Sequence, residues 1–176
     1  NGVNRFLYED DILHMFKDID GSNKGSIALP LLDLPAIKKG NMCKHIVIVL
    51  PHRNICDSME EFLREHLKKD LKNLKNYRIV NIAGEKHHMS TAEAKREIAQ
   101  QAEAGNKTIS LTVKQMLTGV SVKEWDTMFY LKDGESPQEF DQARFRIQTP
   151  YVKKLPIYEI TDDLKNVEIV KDENGD

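Results

Sequence analysis

No G-x-x-x-x-G-K-S/T stretch occurs anywhere in the chain, so it carries no phosphate loop of its own. A G-x-S-x-G elbow is also missing, and none of the six histidines has a suitably spaced nucleophile, which excludes a serine-hydrolase triad. The longest apolar run, Ile46 to Leu50, falls far short of the roughly 20 residues that a membrane helix needs. No signal-peptide pattern opens the sequence. Cysteine is scarce: Cys43 and Cys56 have no metal-ligand spacing, and a reducing cytoplasm is the simpler expectation. An excess of positive charge is lacking too. With a formal net charge of -2, any nucleic-acid contact must be local and not a wholesale basic surface. The absent initiator Met and the acidic end, Asp172 to Asp176, lead us to expect a piece of a longer protein.

What is present is a soluble-type mixture of apolar and charged residues, enough to bury one core. Residues 1–20 carry Leu7, Ile12, Met15 and Phe16 at helical spacing, with Glu9, Asp10 and Asp11 expected on a solvated face. Asp20 to Leu31 imitates a calcium loop. Lys24 and Leu31 stand where ligands are required, so a polar loop is expected instead. Pro30, Pro35 and Gly40 then mark an irregular connector.

From His45 the pattern alternates. His45 to Leu50 is a continuous β-branched strand, followed by a polar loop at His52, Arg53 and Asn54. Ser58 to Glu61 has the form of a capping box, opening a helix with Met59, Phe62, Leu63, His66, Leu67 and Leu71 inward. Tyr77 to Gly84 reads as a second strand, and Ser90 to Glu93 as a further capping box whose helix buries Ala94, Ile98, Ala99 and Ala102 before Gly105. His87 and His88, being adjacent, are expected as exposed loop residues and not as metal ligands.

Thr108 to Thr112 is a short strand, and Asp126 to Leu131 an apolar run expected to be a buried parallel strand, with Trp125 in the core before it. Ser136, Pro137 and Glu139 then cap a helix in which Gln142 and Arg146 share one face. An amide and a guanidinium one turn apart suit a polyphosphate; a solvated arginine paired with Asp141 or Glu139 is the plain alternative. Leu155 to Ile160 reads as an edge strand, and Thr161 to Val170 as a short helix and strand or a lead into another domain.

Several of these stretches carry a resemblance. Thr112 with Leu117, Thr118, Gly119 and Val120 resembles motif V of superfamily 2 helicases. Gln142, Ala143, Arg144, Phe145 and Arg146 resemble motif VI, the arginine-finger helix, with Phe145 at a position often Gly and Thr149 where a second Arg is usual. The unit from His45 through His52, Arg53 and Asn54 resembles motif IV. The wording is most similar to that of restriction-enzyme-type and phage-type DNA translocases and spans roughly residues 45 to 160.

The alternating pattern predicts an α/β fold, a mainly parallel sheet with helices on both faces, and the resemblance makes it RecA-like. Three parts are expected: a helix and connector over 1–44, the RecA-like domain over 45–160, and an extension over 161–176. The resemblance implies the second motor domain of an ATP-dependent helicase or translocase. Arg146, Gln142 and, as fallback, Arg144 would act on the γ-phosphate, with Gly119 and Ser121 near ATP. His52, Arg53, Asn54, Thr112 and Thr118 would meet the DNA backbone. ATP and Mg2+ would be held mainly by a first RecA-like domain of the same parent, and this chain alone would be inactive. The alternative is a non-catalytic RecA-like module that binds a nucleotide or a partner.

Overall fold

The computed structural model describes residues 6–23, 43–86, 89–114, 122–132, 141, 157–160 and 167–170. Its centre is a four-stranded, all-parallel sheet: β1 (His45–Leu50), β2 (Arg78–Asn81), β3 (Thr108–Val113) and β4 (Thr127–Tyr130), in the order β2-β3-β1-β4. β1 pairs along its whole length with β3, from His45 with Thr108 to Leu50 with Val113, and on its other side with β4. Both ladders are parallel, so each strand must be joined to the next by a crossover.

The helices are α1 (Glu9–Asp20), α2 (Arg53–His66) and α3 (Thr91–Glu103). Alternation along β1 divides the core. Ile46, Ile48 and Leu50 pack with Phe16 of α1 and Cys56, Met59, Phe62 and Leu63 of α2. Val47 and Val49 pack on the opposite face with Ala94 and Ile98 of α3, Val122 and Trp125. Helices therefore cover both faces, as the α/β reading requires. β1 is buried throughout because neither face meets water.

The reasons these segments become helices are local. Acidic Glu9, Asp10 and Asp11 lie in the first turn of α1, where they complement the helix dipole, and Gly21 ends it at φ 76°. α1 docks on α2 through Phe16 and Phe62, whose ring centroids lie 5.9 Å apart. α3 has the predicted capping box: Ser90 Oγ accepts from the Glu93 N–H and a Glu93 carboxylate oxygen accepts from the Ser90 N–H. Gly105, at φ 72°, follows its end.

Several expectations are corrected. α2 starts at Arg53 and not at Ser58; Ser58 lies within the helix, and its hydroxyl donates to the Asn54 carbonyl one turn back. The second strand is shorter than Tyr77 to Gly84: the Ile82 N–H still donates to the Leu111 carbonyl, and the chain then turns, with the Gly84 N–H donating to the Asn81 side chain. β4 is half-buried, since it has a described neighbour on one side only. Ile157–Ile160 does not extend the parallel sheet; it pairs antiparallel with Val167–Val170. Asp20, the first position of the calcium-like loop, accepts backbone N–H bonds from Lys72, Asn73 and Leu74, and so holds the short 3-10 turn at Leu74–Asn76. The expected helix from Ser136 lies outside the described residues except for Asp141, as do His87 and His88.

Candidate functional site

The strand order creates one place where a ligand fits naturally. From β1 the chain turns into α2 on one face of the sheet. From its neighbour β3 it passes to Val122 and Trp125 on the other face. Adjacent strands whose exits diverge leave a crevice at their C-terminal ends, the usual ligand position in open parallel sheets. Leu50 and Val113, in register, are the last paired residues of the two strands at that end.

His52, Arg53 and Asn54 all sit at this edge and are exposed. They are not a loop. His52, in extended conformation, is the N-cap of α2, and Arg53 and Asn54 are its first two residues. No side chain caps this end, so the first-turn N–H groups and the positive end of the helix dipole are directed at the crevice. Such an end accommodates a phosphate. Thr112 is close by in β3 but buried, paired in register with Val49, and its hydroxyl reaches the Val113 carbonyl at 3.4 Å. Thr118, Gly119, Ser121, Gln142, Arg144 and Arg146 lie outside the described residues.

Apart from Arg53, the rim of the crevice is built from residues to which the sequence alone assigned no site role. Arg53 donates from Nε to the Ala83 carbonyl at 3.0 Å and from Nη2 to the Gly84 carbonyl at 3.2 Å. One turn along α2, buried Asp57 accepts from the Asn81 amide and from the backbone N–H groups of Glu85 and Lys86. The Asn81 amide also donates to Glu60, and its carbonyl oxygen accepts from the Gly84 N–H. Lys86 adds an ion pair to Glu61 at 2.6 Å. The segment after β2 is thus fastened to the first two turns of α2. The signal was present as the spacing Arg53, Asp57, Glu60 and Glu61, which falls on one helix face once the helix is known to begin at Arg53.

Neither cysteine is a nucleophile at neutral pH. Burial pushes the Cys56 thiol up to about 12, with Asp57 adding to the effect. Burial also raises Cys43, against the hydrogen bond it accepts from Thr127. His45 lies at the far end of β1, where burial depresses its pKa while Asp126 and Glu124 oppose the shift. Among the described residues, ligand atoms of Glu9, Glu65 and His66 come within 4.8 Å of one another, as a metal site would need. His66 already bridges Asp70 at 2.7 Å and Glu9 at 3.3 Å, so the group also ties α1 to α2. Glu9 is therefore not merely part of a solvated face.

Fold and edge together define an α/β parallel-sheet protein whose connections diverge between β1 and β3. The chain is similar to a Mycoplasma pneumoniae protein named as a candidate type II restriction enzyme and methyltransferase, C-terminus: 27% identical over 154 residues, 86% of this chain. It spans 20% of that relative's length. No family model and no solved structure matches it. Among the described residues, no helix is long and apolar enough to cross a membrane.

Proposed function

We propose that this chain is the second motor domain of an ATP-dependent DNA helicase or translocase, working within a longer restriction-modification protein. The observation that carries the reading is that the motif IV-like residues His52 to Asn54 and the motif V-like Thr112 lie at the same, C-terminal end of the adjacent strands β1 and β3. Similarity to a relative whose name includes restriction and methylation supports DNA as the substrate class.

The uncapped end of α2 and the exposed His52 and Asn54 would contact the DNA backbone without reading its sequence. Arg53 uses two of its five N–H groups on carbonyls and keeps the others for a phosphate oxygen. Thr112 would act at this edge, and Thr118 would couple it to the nucleotide. Gly119 and Ser121 would lie against ATP, which with Mg2+ would be held mainly by a first motor domain. Arg146, with Gln142 beside it and Arg144 as fallback, would stabilise charge on the γ-phosphate.

The test is ATP hydrolysis by the full-length parent, with and without single-stranded and duplex DNA, comparing Arg146 with Arg146→Ala. DNA-stimulated turnover should fall by about a thousandfold or more while ATP still binds. Unchanged turnover would remove Arg146 from the role. Absence of any DNA-stimulated turnover in the parent itself would put the non-catalytic nucleotide- or partner-binding module ahead.

A further inference from the structure

We infer that a cationic groove on the open β2 edge is a second contact for the nucleic-acid phosphate backbone, apart from the crevice. This rests on the nucleic-acid reading of that crevice. The groove encloses about 440 Å³, and Arg64, Lys68, Lys75 and Arg78 surround an apolar floor that includes Leu67 and Tyr77. None of its lining residues is acidic. All four cations are exposed. Arg64 is held by Glu60 at 2.6 Å, but Lys68, Lys75 and Arg78 form no ion pair with another described residue. Lys107 adds a fifth positive charge, its Nζ 5.5 Å from the Tyr77 ring centroid.

In a chain of net charge -2 such a concentration is local, and it makes this edge a region of positive potential that attracts a polyanion. The floor gives the partner nothing to read. The Tyr77 hydroxyl is spent on the Cys43 carbonyl, and the remaining polar side-chain groups are cationic donors. Donors of that kind hold phosphate oxygens and leave sequence unread. The groove lies at the C-terminal end of α2 and the N-terminal end of β2, whereas the crevice lies at the opposite ends. The 14 residues of α2, at about 1.5 Å each, separate the two by roughly 20 Å. One DNA segment of modest length can touch both.

The experiment measures binding of the 176-residue chain to a labelled duplex of about 30 base pairs across a salt series. It compares wild type, the triple variant Lys68→Gln/Lys75→Gln/Arg78→Gln, and the crevice variant His52→Ala/Asn54→Ala. Poly-glutamate is the second probe. The triple variant should bind at least about tenfold more weakly, and its salt slope should flatten by roughly 0.9 for each phosphate no longer neutralised. Its unfolding midpoint should stay put, since the three side chains are exposed. Unchanged affinity and slope in the triple variant overturn the groove, and if the crevice variant alone weakens, the crevice reading survives. Wild-type binding to poly-glutamate but not to DNA overturns it in favour of an acidic protein partner. Weakened DNA binding by the triple variant, alongside a parent with no DNA-stimulated ATP hydrolysis, leaves the groove standing and removes the motor.

Discussion

Gly84 shows how much one side chain can decide. A Cβ built on it would overlap Asp57 Oδ1 and the Asn81 amide, the two groups that fasten the crevice rim. Gly84→Ala should therefore destabilise the chain by about 1–3 kcal/mol, the usual cost of overpacking, in urea unfolding. An unchanged midpoint would show that the rim yields freely. His45 acts through protons. Burial favours its neutral imidazole, so the folded state binds fewer protons than the unfolded state once the pH drops below the ordinary 6.5. Stability from this residue is intact above that value and declines as pH falls through it. Melting temperatures between about pH 5 and pH 8 should fall towards acid, and part of the fall should vanish in His45→Asn. An identical pH profile in the variant would sink the idea. Neither residue stood out in the sequence, because their importance comes from neighbours 27 and 63 positions away, Asp57 for Gly84 and Thr108 for His45.

At the scale of elements, two stretches with the same capping wording fared differently. Ser90 and Glu93 close a true box at the start of α3. Ser58 and Glu61 do not, because the chain leaving β1 enters the helix five residues earlier and buries Cys56 against the sheet. Packing won over local propensity. Ser90→Ala should cost about 1 kcal/mol in equilibrium unfolding, and Ser58→Ala clearly less, since Ser58 caps nothing. Equal costs would mean that the hydrogen bond from Ser58 to Asn54 matters as much as a cap. Strand existence was legible from β-branched runs, and the helix over α1 from its apolar spacing. Strand ends were less so: Ala83 and Gly84 read as strand, yet beyond Ile82 the side chains of Asn81 and Asp57 turn the chain into the crevice rim.

For the molecule as a whole, alternation of strand and helix implied a parallel sheet, and the uniformly apolar β1 implied burial on both faces. Strand order was not written there, since β2-β3-β1-β4 depends on which crossover takes which face. The crevice follows from that order, so only its candidate residues, not its position, could be named in advance. The cationic groove was partly hidden: Lys68, Lys75 and Arg78 lie close together in the sequence, but their shared place with Arg64 over an apolar floor depends on how α2 and β2 meet. The order has a further consequence for how the chain is made. β1 emerges from the ribosome first among the strands, yet both of its partners come later; His45 waits for Thr108, 63 positions on, and Ile46 for Thr127. At about 5–20 residues per second, a six-residue, mostly apolar strand spends several seconds without a ladder partner on either side. Until α3 follows at Thr91–Glu103, α1 and α2 can cover only one of its faces, so Val47 and Val49 stay uncovered for the first part of that interval.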